Sequence, residues 1–273
     1  MLQEIHRNTQ KLVPLVHNIT NYVTANDCAN ITLACGGSPI MADDILEVEE
    51  VTAMSNALVI NTGTLNERTV KAMFVAGRKA NELELPVILD PVGVGATRLR
   101  SDTIMNLMKE VYFSVIRGNS SEIRAITGNG NTRGVDASLK EQITDVTVDE
   151  AIELAKWTSK RTGAVIVITG RIDLIADHDK VCLIRNGHPM MSRVTGTGCM
   201  LTSMIGSFCG ANPDKLYEAC ISAVCAMGMA GEYAYEKIME RNEGTASYRQ
   251  YIIDFISKMD DSLIEKGAKL EMR

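Results

Sequence analysis

Pro86-Val87-Ile88-Leu89-Asp90-Pro91 sets an uninterrupted apolar run between two prolines and closes it with a carboxylate. A strand with one solvated face alternates apolar and polar residues, whereas a strand covered on both faces does not. This stretch therefore predicts a strand buried inside a parallel sheet, with Asp90 at its C-terminal end. Ala57-Leu58-Val59-Ile60-Asn61 upstream and the run from Ala164 to Ile168 downstream have the same character. Helical spacing fills the intervals, from Glu67 to Leu83 and from Asp102 to Val111.

Working towards the N-terminus, an acidic helix is expected from Ile45 to Met54, after the extended piece Ser38-Pro39-Ile40-Met41-Ala42-Asp43. Val23 to Cys35 has helical spacing and stops at Gly36-Gly37, a helix-ending signal. Leu12 to Val16 reads as the first strand, preceded by a short polar start and followed by His17-Asn18-Ile19-Thr20-Asn21.

Towards the C-terminus, Phe113 to Arg117 predicts a strand, and Asn119 opens a helix ending at Gly128. Residues 129–146 are polar and read as a surface loop. Val148, Ala151, Ile152 and Ala155 share one helical face. Ile172 to Ala176 and Val181 to Arg185 suggest a hairpin turning at Asp177-His178-Asp179. The C-terminal third is expected to be helical, over Met200 to Cys209, Leu216 to Met239 and Tyr248 to Ile264. Repeated strand–helix alternation with a helical tail predicts one domain over residues 1–273. Its architecture would be a three-layer α/β fold, with a mostly parallel central sheet and helices on both faces.

Composition narrows the function classes. The 273 residues carry a net charge of −6 and no Lys/Arg cluster, which speaks against nucleic-acid binding. The longest uncharged apolar run, near Ile221 to Ala230, is too short to span a bilayer. Seven cysteines without a Cys-x-x-Cys pair argue against a disulfide framework or a zinc site. With an N-terminus lacking an apolar signal-peptide core, the expected location is the cytoplasm.

Ligands of open parallel sheets collect at the C-terminal ends of the strands. Those ends carry Thr62-Gly63, Asp90-Pro91, Arg117-Gly118-Asn119 and Thr169-Gly170. Val194-Thr195-Gly196-Thr197-Gly198-Cys199 precedes an apolar helix, so Gly196, Thr197 and Gly198 could form an anion hole from backbone N–H groups at a positive helix end. Cys199 would lie in the first turn, where the helix start should lower its pKa. A tight turn followed by a buried core cysteine fits the same residues. Together these groups suit phosphoryl transfer, which needs positioning, charge neutralisation and a metal. Asp90 and Glu122 could hold a hydrated Mg²⁺, which takes only one or two carboxylates. Alternatively Asp90 is a turn residue, and Glu122 completes a capping box with Asn119. No Gly-Lys-Ser/Thr P-loop is present, and neither Gly93-Val94-Gly95 nor Gly196-Thr197-Gly198 has the third glycine of a dinucleotide site. His17 and His188 are too isolated to suggest a metal or a triad.

Several stretches, taken in order, resemble one family. They are Ser38 to Ala42, Asp90-Pro91-Val92-Gly93-Val94-Gly95-Ala96-Thr97, Arg117 to Ile123, Val167 to Gly170, and Asn186-Gly187-His188-Pro189 up to Cys199. From His17 to near the end, the chain is similar to hydroxyethylthiazole kinases of the ribokinase-like superfamily. Gly-Thr-Gly-Cys is the specific part, because most ribokinase-like enzymes have Asp in place of the Cys. The resemblance implies ATP- and Mg²⁺-dependent phosphorylation of 4-methyl-5-(2-hydroxyethyl)thiazole by a homotrimer with sites between subunits. It implies that Arg117 and Thr169 contact ATP, Met41 and Gly196 the thiazole, and Asp90 and Glu122 the metal and phosphates. Cys199 would take the catalytic-base position. Ala137 departs from the family, where Ser is more usual. The competing class is a lyase: dehydratases that repair hydrated nicotinamide cofactors share this fold and an anion hole. A non-catalytic trimeric binding protein would need neither carboxylate nor anion hole.

Overall fold

The structure, a computed structural model, describes residues 1–128 and 143–273. The polar 129–146 stretch, Ala137 included, falls mostly outside those residues. The chain opens with helix α1 (Leu2–Leu12), strand β1 (Leu15–Ile19), α2 (Ala25–Ala34), β2 (Ser38–Ile40) and α3 (Val48–Met54). It continues through β3 (Ala57–Asn61), α4 (Glu67–Glu82), β4 (Val87–Asp90), α5 (Arg98–Glu110), β5 (Val115–Asn119) and α6 (Ser120–Ile126). After the undescribed residues come α7 (Val148–Thr162), β6 (Val165–Thr169), β7 (Asp173–Asp177) and β8 (Lys180–Ile184). A short 3₁₀ turn (Pro189–Arg193) precedes α8 (Thr197–Ala211), α9 (Leu216–Arg241), α10 (Thr245–Ser257), α11 (Asp261–Gly267) and β9 (Leu270–Met272).

The nine strands form one sheet in the order β2-β1-β3-β4-β5-β6-β7-β8-β9. The first six run parallel and the last three antiparallel. Helices cover both faces, each over its own apolar cluster. One cluster gathers α8, α9 and α10 against Val16, Val59, Ile88, Val115 and Val167. The other packs α4, α5 and α7 against Leu58, Ile60, Leu89, Ile116 and Ile168. Successive strand residues thus go to opposite layers, which is why these strands carry apolar residues without a break. The three-layer, mostly parallel architecture expected from the sequence is the one observed.

Three local expectations need correction. The polar start is helix α1, whose buried Leu2, Ile5, His6 and Thr9 follow helical spacing with only two strongly apolar members. The first strand accordingly begins at Leu15 rather than Leu12. The segment from Tyr248 to Ile264 is two helices, because Asp260 leaves the helical conformation and accepts the Leu263 N–H to start α11. Strand β9 went unseen because it is three residues long and largely exposed; backbone pairing to β8 is what defines it. Among the described residues, no helix is long and apolar enough to cross a membrane.

Candidate active site

Parallel pairing brings the strand ends into line. Asn61 on β3 is the register partner of Asp90 on β4, and Asn119 on β5 is the partner of Thr169 on β6. The N-terminus of α8 faces this row. Gly196 caps it in the left-handed conformation (φ 88°), and a Cβ there would lie 2.6 Å from Thr24 Cγ2. Both the dihedral and the lack of space require glycine. No side chain caps α8, so its first-turn N–H groups face the site bare, as an anion hole requires.

Asp90 is completely buried. Its Oδ2 accepts hydrogen bonds from Asn61 Nδ2 and Thr202 Oγ1, both at 2.8 Å. Its Oδ1 has no hydrogen-bond partner, and the Arg117 Nη1 stands 3.6 Å from it. Burial raises the Asp90 pKa to about 6, against the opposing pull of Arg117 and with a smaller push from Glu122. Asp90 is therefore no mere turn residue before Pro91. Arg117, itself mostly buried, donates from Nη2 to Thr169 Oγ1 at 2.6 Å, so one guanidinium spans β4 and β6.

Glu122 fulfils the capping alternative. Its Oε2 accepts the Asn119 N–H at 2.9 Å while Asn119 Oδ1 accepts the Glu122 N–H at 2.8 Å. Its other oxygen accepts the Gly93 N–H at 3.0 Å, which ties the loop after β4 to the start of α6. Among the described residues, no group of three or more His, Cys, Asp or Glu side chains is arranged to hold a metal.

Cys199 is the one partly exposed cysteine; the other six are buried, and all seven are free. Asn21 and Asn61 each donate an amide N–H to its sulfur at 3.4 Å. The expected lowering of its pKa is overturned: burial, and then the nearby Asp90 carboxylate, push the thiol up, with weaker opposition from Thr24, Arg117 and Asn21. In so dehydrated a place the cost of a second anion outweighs the favourable helix end.

Met41 lies apart from this centre, two strands along the sheet. It is partly exposed and lines a cavity of about 220 Å³ with Asn18, Thr20, Tyr22, Asp43 and Thr64. Gly196 does not line that cavity; it packs on Thr24, beside Asn21 of the Cys199 cluster. His17 is a satisfied core residue, bonded to Thr52 Oγ1 and to the Ala42 carbonyl at 2.9 Å each, and so anchors the segment that carries Met41. Sequence reasoning missed Asn21, Asn61 and Thr202. Asn61 occupies the same strand-end position as Asp90, which was the available signal; the other two become visible only in three dimensions.

The family model for the "Hydroxyethylthiazole kinase family" matches residues 3–262. The chain belongs to this family. It is 54% identical over 272 residues to the hydroxyethylthiazole kinase of Clostridium acetobutylicum, covering 99% of each chain. To that of Ruminiclostridium cellulolyticum it is 50% identical, over 94% of this chain and 92% of the relative. The solved hydroxyethylthiazole kinase of Pyrococcus horikoshii superposes with a TM-score of 0.89 at 32% identity, covering 100% of this chain and 98% of the other. An ATP- and Mg²⁺-co-crystallised NAD(P)H-hydrate dehydratase of Bacillus subtilis shares only the fold, with a TM-score of 0.58 and 17% identity. This member of the hydroxyethylthiazole kinase family is thus a phosphotransferase acting on a thiazole alcohol, and the lyase alternative rests on distant likeness alone.

Proposed function

We propose that this kinase transfers the γ-phosphoryl group of ATP to the hydroxyl of 4-methyl-5-(2-hydroxyethyl)thiazole, at the bare N-terminus of α8. The observation that carries this reading is the uncapped helix start set opposite Asp90 and Arg117. Arg117 and Thr169 hold the phosphate chain. The N–H groups from Gly196 to Cys199 take the charge that develops on the transferred group. Met41 gives the thiazole an apolar contact in a cavity otherwise lined mostly by polar side chains, and Gly196 meets the substrate from the start of α8, outside that cavity. Cys199 accepts the hydroxyl proton as the oxygen–phosphorus bond forms and the bond to the leaving ADP breaks.

The donor set fits a hydrated magnesium ion. Asp90 Oδ1 is a buried acceptor without a hydrogen-bond partner, and each Glu122 oxygen, holding one backbone N–H, keeps a second lone pair. Asp90 and Glu122 would hold the ion through its waters, and it would supply charge neutralisation on the phosphates. We take the whole chain as one catalytic domain, located in the cytoplasm. We take the working assembly to be a homotrimer that completes each site between subunits.

The test is a coupled ADP assay over a small panel of alcohols. ADP released only with the thiazole alcohol supports the reading. ADP formed on hydrated nicotinamide nucleotides instead would replace it with the dehydratase chemistry.

A further inference from the structure

Asn61 ends β3, is 2% exposed, and uses every hydrogen-bonding position it has. Its Oδ1 accepts the Gly63 backbone N–H at 2.9 Å and the Asn21 Nδ2 at 3.0 Å. Its Nδ2 donates to Asp90 Oδ2 at 2.8 Å and to Cys199 Sγ at 3.4 Å. The orientation of this amide is fixed, because a backbone N–H can only donate and must therefore meet the carbonyl oxygen. Asn21 is fixed in the same way: its Oδ1 accepts the Thr24 N–H at 3.1 Å, which turns its Nδ2 towards Cys199. Two amide donors hold the Cys199 sulfur from one side, and one of them also grips Asp90.

We infer that Asn61 is a positioning residue for phosphoryl transfer, locking the Cys199 sulfur to the Asp90 carboxylate through its two amide N–H groups. This rests on the reading of Cys199 as the proton acceptor. The carboxylate belongs to the phosphate side of the site and the sulfur to the alcohol side, and Asn61 is the direct bond between them. Reacting groups must be held within a fraction of an ångström, and a misplacement of about 1 Å can cost about 10²-fold in rate. Packing alone would not need a donor aimed at the one cysteine sulfur that is not buried.

A double-mutant cycle tests it, with kcat and both KM values measured for wild type, Asn61→Leu, Cys199→Ala and the double variant. Asn61→Leu should lower kcat by about 10- to 10²-fold with little change in either KM. In the Cys199→Ala background the same substitution should cost less than about threefold more, because the link to the sulfur is gone and only the bond to Asp90 is left to lose. Losses that multiply would overturn the inference while leaving Cys199 as the base, as would a rise in KM with kcat unchanged. A Cys199→Ala enzyme as fast as wild type would overturn both readings. Asn61→Leu strands the Gly63 N–H, so Asn61→Ser, smaller and still polar, carries the same cycle if the leucine variant does not fold and bind ATP.

Discussion

Gly198 lies against the Arg117 guanidinium so closely that a Cβ on it would overlap both terminal nitrogens. The second glycine of the Gly-Thr-Gly-Cys motif therefore does more than expose backbone N–H groups. Its missing side chain is the space in which Arg117 reaches Thr169 and Asp90. Gly198→Val should displace the arginine and crowd the anion hole together. We expect single-turnover phosphorylation to fall by more than about 10²-fold, the loss of one electrostatic donor being of that order, with weakened ATP binding. Near-normal ATP affinity and rate in a folded Gly198→Val enzyme would remove the anion hole from the mechanism.

Glu122→Gln separates the cap from the metal role. The carboxylate accepts the Asn119 and Gly93 N–H groups, one on each oxygen, and a glutamine can accept only one of them. The other N–H would face an amide donor. The variant should lose about 1–2 kcal/mol of stability. It should also need more Mg²⁺ for half-maximal rate if the charge serves the ion. A stability loss with an unchanged Mg²⁺ requirement would leave Glu122 as a cap and loop tie only.

Met41→Ala should raise KM for the thiazole alcohol more than KM for ATP. Met41 lines the cavity at the β2 edge of the sheet, whereas Arg117 and Thr169 lie on β5 and β6. A thioether adapts to the outline of a heterocycle, so its removal costs contact rather than chemistry. Equal effects on both substrates would dissociate this cavity from the thiazole. Sedimentation showing an active monomer would sink the shared-site assembly.

The fold was legible because burial on both faces leaves a mark in each strand separately. Ala57 to Asn61 and Val87 to Asp90 can be read without any neighbour. Strand β9 cannot, since only its bonds to β8 make Leu270 to Met272 a strand. The site divides along the same line. Asp90 and Glu122 announce themselves by charge at a strand end and at capping spacing. Asn21 and Asn61 are uncharged amides, lying 178 and 138 residues from the sulfur they hold, and no spacing rule links such positions. The direction of the Cys199 pKa was misjudged for a related reason. The helix start is visible in sequence, but the burial and the carboxylate that outweigh it are not.

Asp90 gives the folded chain an unusual dependence on pH. An unfolded aspartate titrates near about 3.9, while burial raises Asp90 to about 6. Between those values the folded chain holds this proton more tightly than the unfolded chain does. The Asp90 contribution is therefore most favourable below pH 4 and declines as pH rises to 6. Asp90→Asn can keep an acceptor for Asn61 and Thr202 but cannot ionise, and it leaves the Arg117 charge without its partner. The variant should show a flatter slope of Tm against pH from 4 to 6 than wild type, measured in EDTA. Parallel slopes in the two proteins would contradict the assignment.

Cys199 sets the last expectation. A primary alcohol is a poor acid, so a proton acceptor should speed its attack. A positioned base typically contributes about 10²–10⁴-fold. Burial and Asp90 raise the Cys199 pKa, so thiolate is scarce at neutral pH and becomes more abundant as pH rises. The direction is thus fixed: wild-type kcat/KM should climb into the alkaline range rather than level off near neutrality. A thiolate formed against that resistance is also the more basic one, which offsets part of its scarcity. Phosphoryl transfer depends mainly on positioning and charge neutralisation, and both survive loss of the thiol. Cys199→Ala should therefore be slowed by about 10²-fold at its wild-type optimum, bind ATP normally, and lose the alkaline rise. The comparison is single-turnover phosphorylation across pH, after confirming that both proteins fold and bind ATP. An alkaline rise that persists in Cys199→Ala would assign the titrating group elsewhere, and a rate equal to wild type would end the case for Cys199 as the base.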